Sequence, residues 1–137
     1  MNRTLMILKP DVLKRGLAGK VLAMVEEGGF HIRRMELVQL TPERAKAFYA
    51  VHADKPFIGE LVDYRTSGPC VPLVLERDEA ITEARKLMGA TNPKDAESGT
   101  IRANYGVDIQ TNSVHGSDSP ESARIEIPFF FPDESTD

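Results

Sequence analysis

A histidine in a polar, glycine-containing stretch is the first candidate for chemistry in this sequence. His115 lies within Asn112-Ser113-Val114-His115-Gly116-Ser117-Asp118-Ser119. An imidazole with a reference pKa of about 6.5 is a competent nucleophile near neutral pH. Ser117, Asp118 and Ser119 offer short groups that could orient the ring, and Gly116 leaves room for something to approach it closely. The alternative, an ordinary surface histidine in a loop, stays open on this pattern alone.

A glutamate on the last predicted helix is the second candidate. Ala123, Ile127 and Phe130 recur at helical spacing and should face the core, and Glu126 borders their apolar stripe. A carboxylate at that place could reach back toward His115 and hold or polarise the imidazole. A boundary glutamate that points to water is the alternative.

Three cations are spread along the chain in positions that could serve one ligand. Lys9 follows a predicted strand, Arg85 lies on a predicted helix and Arg102 lies in a long polar segment. Each alone is typical of a solvated surface charge. Convergence of the three would indicate a polyphosphate ligand, because Lys, Arg and metal ions together meet the charge of a triphosphate. The sequence does not show whether they converge.

The segment Gly16-Leu17-Ala18-Gly19-Lys20-Val21 has the glycines and the lysine of a phosphate-binding loop, but not their spacing. A P-loop has four residues between its glycines and a Ser or Thr after the lysine. Here two residues intervene and a valine follows. We therefore reject the P-loop and assign Gly16 and Gly19 to turn and packing roles.

Local patterns predict the elements that position these side chains. Pro10 disfavours helix at Lys9, which should therefore be extended at the end of a strand over Thr4–Leu8. Ser119-Pro120-Glu121 predicts the start of a last helix that runs toward Phe131. The other predicted elements are a helix that stops at Gly28-Gly29, a half-exposed strand over His31–Leu40, helices from Thr41 to about Val51 and from Pro56 through Tyr64, a buried strand over Val71–Glu76, and a helix capped by Asp78 and ended by Gly89.

Residues 89–118 are polar and show little periodicity, and a loop of that length in a compact domain is usually functional. A fourth strand could lie within it near Ile109–His115. Few strands interleaved with helices predict an α+β sandwich with helices over one mixed sheet. A split βαβ arrangement of four strands fits this order.

The composition is that of one globular domain. The chain has 137 residues, of which 41% are hydrophobic and 28% charged, and a net charge of −4. We expect a single domain over 1–137, with a frayed acidic tail over 132–137. The acidic balance argues against a nucleic-acid partner. Cys70 is the only cysteine, so it excludes an internal disulfide and, with three histidines, forms no recognisable zinc site. No apolar run approaches a membrane span of about 20 residues, which favours a cytoplasmic location without a membrane partner.

In order and spacing, a set of motifs over nearly the whole chain resembles the nucleoside diphosphate kinase family. The signature is His115-Gly116-Ser117-Asp118-Ser119 followed by Glu126. The resemblance implies a ferredoxin-like βαββαβ fold, with a four-stranded antiparallel sheet covered by helices. The other motifs are Lys9-Pro10-Asp11, Arg15-Gly16-Leu17, Lys55-Pro56-Phe57, Ser67-Gly68-Pro69, Gly89-Ala90-Thr91-Asn92-Pro93 and Gly99-Thr100-Ile101-Arg102.

The resemblance also implies an activity. The γ-phosphoryl group of a nucleoside triphosphate, typically ATP, would move to His115 and then to a nucleoside diphosphate, with broad base specificity, to maintain nucleotide pools. Two steps let one site serve both nucleotides. Mg²⁺ would arrive with the nucleotide phosphates. The family implies a homo-oligomer, either a tetramer or a hexamer built from dimers.

By position, the resemblance implies a role for each matching residue. His115 is the nucleophile, Glu126 and Ser117 support it, and Tyr49 supplies a supporting hydroxyl. The nucleotide-binding positions are Lys9 and Arg102 for phosphate, with Lys9 also near the transferred group, Arg85 and Thr91 for the outer phosphates, Asn112 for the sugar 3′-hydroxyl, Phe57 for base stacking, and Leu61.

Two departures from the family pattern bear on this interpretation. Ser98 stands where many members carry a proline. Pro128 removes the helical hydrogen bond to the carbonyl of Arg124, so it should kink or end the last helix close to Glu126. Two other functions stay open, a nucleotide-binding regulatory protein and a histidine phosphocarrier. The complete residue set favours the enzyme, since a pseudo-enzyme would be expected to have lost a member.

Overall fold

The computed structural model describes residues 2–48, 66–109 and 111–134. Its four strands are β1 (Asn2–Leu8), β2 (His31–Met35), β3 (Val71–Arg77) and β4 (Val114–Gly116). Its helices are α1 (Pro10–Lys14), α2 (Ala18–Glu27), α3 (Pro42–Phe48), α4 (Ala80–Met88), α5 (Ile101–Tyr105) and α6 (Pro120–Phe130), with a short 3₁₀ turn at Pro93–Asp95. None of the described helices has the length and apolar character needed to cross a bilayer.

The strands form one sheet in the order β2-β3-β1-β4. Every pairing among the described strands is antiparallel. This is the ferredoxin-like α+β arrangement, so the implied fold is confirmed. The mixed sheet expected from the order of elements is wrong, because no described strand pairs parallel to its neighbour and β4 pairs antiparallel to β1.

Each face of the sheet buries its own hydrophobic cluster. Leu5 and Ile7 of β1 point into one cluster, and Met6 and Leu8 point into the other, as the alternation of a strand requires. The first cluster is covered mainly by α6 and α3, and the second by α2, α4 and α5. We call these the α6 face and the α4 face.

The register of β4 decides which face receives His115. His115 lies opposite Ile7 of β1, and directly paired residues of two strands project on the same side. Ile7 belongs to the α6 face, so His115 points there. Val114, the residue before it, is buried on the α4 face.

Several predicted bounds differ from the structure. β2 is shorter than the predicted His31–Leu40, and after it only Val38 bridges to Cys70. The fourth strand begins at Val114, near the end of the predicted range. The segment 89–118 is not one loop, since it contains a 3₁₀ turn, α5 and β4. The predicted helix from Pro56 lies outside the described residues.

The start of α4 is capped from far along the chain. Asp78 is not the cap, because the helix begins after Glu79, whose backbone has a left-handed φ of 54°. The amide of Ala80 donates instead to the side-chain oxygen of Asn2, at 2.6 Å. A tertiary contact therefore replaces the local cap that the sequence predicts.

The last helix follows the prediction at its start and departs from it at Pro128. The Ser119 side chain accepts a hydrogen bond from the Ser122 amide and caps α6. Pro128 does not end the helix, which continues to Phe130, and the Phe131 amide still donates to the carbonyl of Ile127 at 2.8 Å. Of the two outcomes expected at Pro128, a kink or an end of the helix, the end does not occur, because its neighbours in α6 still pack on the sheet.

The residues after α6 are held by arginines. Arg3, Arg33 and Arg34 all contact the carboxylate of Glu134, at 3.2, 2.9 and 3.2 Å. Arg3 also donates to Glu76 at 2.9 Å. We call these five residues the C-terminal ion cluster. It ties residue 134 to the sheet, in the first part of the segment expected to fray.

Candidate active site

His115 and Glu126 meet on the α6 face. The Nε2 atom of His115 lies 2.8 Å from Oε1 of Glu126, and the two side chains are 26% and 17% exposed. An ionised carboxylate only accepts hydrogen bonds, so this contact places the imidazole proton on Nε2. In the neutral ring Nδ1 then carries the lone pair, and a nucleophilic imidazole would react through Nδ1.

Ser117 supports the carboxylate from the other side. Its side chain is buried, and its hydroxyl lies 3.4 Å from the same Oε1 of Glu126. Its amide donates to the carbonyl of Leu5 at 3.0 Å, which fixes Ser117 to β1. Glu126 is thus oriented by a residue that follows β4 directly.

Asp118 and Ser119 were expected to orient the imidazole, but their described contacts lie at the start of α6. The hydroxyl of Ser122 donates to Asp118 Oδ1 at 2.5 Å, and this hydrogen bond lowers the pKa of the Asp118 carboxyl. Ser119 caps α6. Their described contacts therefore fix the start of the helix that carries Glu126.

Gly116 provides space for a side chain of the protein. A Cβ at Gly116 would lie 2.4 Å from Cε and 2.8 Å from Sδ of Met88. Met88 is buried on the α4 face, on the other side of the sheet from Glu126. The close approach to the imidazole that we expected at Gly116 is therefore a packing contact of Met88 behind β4.

A buried polar chain leads from Lys9 across the start of β4. The backbone of Lys9 is extended, as expected before Pro10, and its side chain donates to Oδ1 of Asn112 at 2.6 Å. Asn112 donates in turn to the carbonyl of Thr91 at 2.9 Å. The Lys9 amide also donates to the carbonyl of Ser113. Lys9 and Asn112 are 7% and 2% exposed, so both are held rigidly.

The two arginines reach the same segment. Arg102 is buried, and its two terminal nitrogens donate to the carbonyls of Gly89 and Val114, at 2.8 and 2.9 Å. Arg85 is exposed and donates to the carbonyl of Asp118 at 3.2 Å. The tertiary structure thus brings Lys9, Arg102 and Arg85 to residues 112–118, the segment that contains His115.

The structure does not describe every residue predicted for the site. Tyr49, Phe57 and Leu61 are outside the described residues. Within the described ranges, no group of three or more His, Cys, Asp or Glu side chains is arranged to hold a metal ion. Gly16, which has a φ of +69°, makes the predicted turn, whereas a Cβ at Gly19 would meet no atom of the described residues within 4 Å, so they show no packing reason for that glycine.

One contact of the imidazole was not predicted. The ring of Phe48, the last residue of α3, lies 5.4 Å from the His115 ring at an interplanar angle of 75°. Phe48 also contacts Phe129 and Phe130 of α6, at 5.3 and 5.5 Å. The run Phe129-Phe130-Phe131 is visible in the sequence, but nothing local links it to residue 48.

Comparisons with known proteins agree with this geometry. A family model described as nucleoside diphosphate kinase matches residues 2–136. Proteins named nucleoside diphosphate kinase from Geobacter sp. (strain M21) and Persephonella marina are 55% and 52% identical over 131 residues, which is 96% of this chain and 96% and 94% of theirs.

Solved structures show the same likeness. The Aquifex aeolicus nucleoside diphosphate kinase superposes with a TM-score of 0.93 at 44% identity, over 95% of this chain and 94% of that one. The halophilic nucleoside diphosphate kinase from Halobacterium salinarum, solved with CDP, superposes with a TM-score of 0.92 at 39% identity, over 99% and 91% of the two chains. On the strength of the matched sequence and the shared fold, the chain belongs to the nucleoside diphosphate kinase family of phosphotransferases.

Proposed function

We propose that this chain moves the γ-phosphoryl group of a nucleoside triphosphate, typically ATP, to a nucleoside diphosphate through a phosphohistidine on His115. The observation that carries the proposal is the 2.8 Å contact between His115 Nε2 and Glu126 Oε1. This contact requires a proton on Nε2 and therefore leaves the lone pair on Nδ1. A ring in that state can attack phosphorus without first losing a proton.

In the first step the Nδ1 lone pair of His115 attacks the γ-phosphorus. The N–P bond forms as the bond from phosphorus to the β,γ-bridging oxygen breaks, and the nucleoside diphosphate leaves with that electron pair. The proton on Nε2 stays in place throughout. Positive charge that develops on the ring is stabilised by the Glu126 carboxylate, which acts from a site that excludes much of the water.

In the second step a terminal β-phosphate oxygen of another nucleoside diphosphate attacks the phosphorus. The N–P bond breaks, its electron pair returns to Nδ1, and a nucleoside triphosphate leaves. His115 is restored in the same tautomer with which it began. One site therefore serves donor and acceptor in turn, in a ping-pong cycle.

The cations around β4 suit a polyphosphate. Among their described contacts, Lys9 and Arg102 donate to neutral oxygen atoms, which position a cation without cancelling its charge. We assign Lys9 and Arg102 to the phosphates, Arg85 and Thr91 to the outer phosphates, and Asn112 to the sugar 3′-hydroxyl. Asn112 lies on the buried chain that orients Lys9, so sugar and phosphate binding would be coupled.

Mg²⁺ belongs to this proposal as part of the nucleotide substrate. Phosphate oxygens are the ligands that Mg²⁺ prefers, and the metal keeps several waters when it bridges phosphates. The protein would then bind the metal–nucleotide complex through Lys9 and Arg102. Without the metal, part of the phosphate charge would stay unneutralised when the nucleotide leaves water, and binding would weaken.

The remaining parts of the proposal rest on the family likeness. Phe57 and Leu61 would hold the base, which gives broad base specificity because every base has a π-face. Tyr49 would support the site with its hydroxyl. The chain would work as a cytoplasmic homo-oligomer, a tetramer or hexamer built from dimers, and maintain nucleotide pools.

Labelling with γ-labelled ATP and Mg²⁺ tests the proposal. We expect acid-labile, alkali-stable label on the parent chain and on His31→Ala, and none on His115→Ala. His31 is an exposed histidine of β2, so it controls for the loss of an imidazole elsewhere. Nucleotide binding without any label on the parent would overturn the proposal.

Discharge of the label separates the enzyme from a phosphocarrier. GDP added to the labelled chain should remove the label and yield labelled GTP. A label that survives several nucleoside diphosphates, and leaves only when another protein is added, would indicate a carrier instead.

A further inference from the structure

Glu126 and Phe48 both contact the imidazole of His115, and they restrain it in different ways. The hydrogen bond to Glu126 fixes the position of Nε2. Rotation of the ring about its Cβ–Cγ bond moves Nε2 only slightly, and carboxylate acceptors tolerate a broad range of directions, so this hydrogen bond alone does not define the ring plane. The Nδ1 lone pair lies in the ring plane, so this rotation would swing its direction of attack.

Phe48 restricts that rotation. Its ring stands at 75° to the imidazole with the centroids 5.4 Å apart, which is the edge-to-face arrangement that aromatic pairs prefer. Rotation of either ring would lose this contact or produce a clash. The contact thus defines the plane of the imidazole, which the hydrogen bond leaves undefined.

Phe48 is itself braced from behind by α6. Phe129 and Phe130 contact its ring at 5.3 and 5.5 Å and contact each other at 5.0 Å. Arg44, on the same helix as Phe48, lies 3.9 Å above the Phe129 ring and donates to the Phe129 carbonyl at 2.8 Å. Two helices therefore hold Phe48 in place, and one of them also carries Glu126.

We propose that Phe48 is a positioning residue for phosphoryl transfer, which sets the plane of the His115 ring so that Nδ1 points along the line of attack. The inference rests on the proposed phosphohistidine. Reaction of a held nucleophile depends steeply on its direction, and a misplacement of about 1 Å can slow an enzyme by about 100-fold. A nucleotide that does not touch Phe48 would still bind with unchanged affinity.

Single-turnover phosphorylation of Phe48 variants tests the inference. Phe48→Leu removes the ring but keeps an apolar side chain, and Phe48→Met fills more of the same volume with a flexible one. We expect either to slow phosphoenzyme formation at saturating ATP by roughly 10-fold or more, with the half-saturating ATP concentration within about twofold of the parent. Phe48→Tyr keeps the ring and should stay near the parent rate.

Phe131→Leu is the matched control. Phe131 is a 2% exposed phenylalanine in the same hydrophobic cluster, and its ring lies under Arg34 at the end of α6. The same loss of a ring there should lower the melting temperature while leaving the phosphorylation rate within about twofold of the parent, because ordinary core effects act on stability.

The outcomes separate this inference from the proposed function. A labelled parent with Phe48→Leu and Phe48→Met at the parent rate, or slowed no more than Phe131→Leu, overturns the inference alone. A loss that appears only in the ATP concentration needed also overturns it. An unlabelled parent overturns the proposed function, and the inference falls with it. If Phe48→Leu melts below the assay temperature, Phe48→Met decides by the same criteria.

Discussion

Two groups of cations in this chain are held in different ways. At the site, Lys9 donates to an amide oxygen and Arg102 to two backbone carbonyls. In the C-terminal ion cluster, Arg3, Arg33 and Arg34 surround the Glu134 carboxylate. Neutral oxygens position a cation and leave its charge to act on a ligand, whereas a carboxylate cancels much of that charge. We therefore expect Lys9 and Arg102 to act on a ligand, and the arginines of the C-terminal ion cluster to act on stability.

The site and the C-terminal ion cluster also differ in their contributions to stability. The site places the buried Ser113 at a φ of +77°, and among the described residues its hydroxyl finds no hydrogen-bond partner. The C-terminal ion cluster joins the segment after α6 to β1, β2 and β3 through opposite charges. We therefore expect changes to the cations of the site to affect the reaction, and changes in the C-terminal ion cluster to affect folding.

The largest effect is expected at Lys9. Lys9→Met removes a buried ammonium and should slow phosphoenzyme formation by about 100-fold or more, since a preorganised charge at the reacting phosphate is worth that much. Single-turnover labelling with γ-labelled ATP measures it. Arg33→Met removes a cation that is held by carboxylates and should keep the parent rate. Equal losses in both variants would contradict the distinction between the two groups.

A smaller effect, on stability alone, is expected at Glu134. Glu134→Gln should lower the free energy of unfolding by about 1–2 kcal/mol, because it removes the charge from hydrogen bonds with arginines. Asp133→Asn is the control, since the Asp133 side chain is 76% exposed and contacts Arg34 only at the surface. Urea unfolding should rank Glu134→Gln below Asp133→Asn, while both keep the parent phosphorylation rate.

The contribution of Glu134 to the free energy of unfolding should decrease as the pH falls. The hydrogen bond from Arg33 lowers the pKa of the Glu134 carboxyl below its ordinary value of 4.5. Its contribution to stability is therefore complete above that ordinary value and is lost as the pH falls through the lower folded-state pKa. The difference between parent and Glu134→Gln should be full at neutral pH and should shrink in acid. A difference that grew in acid would contradict the ion pair.

The smallest effect is expected at Ser113, within the site. A left-handed backbone costs an L-residue about 1–2 kcal/mol, and glycine avoids that cost but loses about 0.5–1 kcal/mol of chain entropy. Ser113→Gly should therefore be more stable than Ser113→Ala by roughly 0.5–1 kcal/mol, since both variants lack the hydroxyl and differ in the backbone. Thermal unfolding of the two variants checks it, and a more stable alanine variant would contradict strain at this position.

Prediction from the sequence succeeded where the signal was local. Pro10 acts on the residue before it, and Lys9 is extended as expected. Ser119 caps α6, because a serine before a proline needs only the next few residues to form the cap. It failed at Asp78, where the side chain of Asn2 caps the helix instead. At Pro128 packing on the sheet carries the helix past the proline, so of the kink or end expected there the end does not occur.

The sequence by itself determined where most of the elements lie, since proline geometry, capping and strand alternation act over a few neighbouring residues, and its resemblance to a known family supplied most of the candidate site residues. It placed His115 and Glu126 eleven positions apart, within reach of each other. Only the tertiary structure decided which ring nitrogen Glu126 takes, that Met88 fills the space behind Gly116, and that Phe48 packs against the imidazole. No local pattern encodes those contacts, because they form only once the helices have packed on the two faces of the sheet.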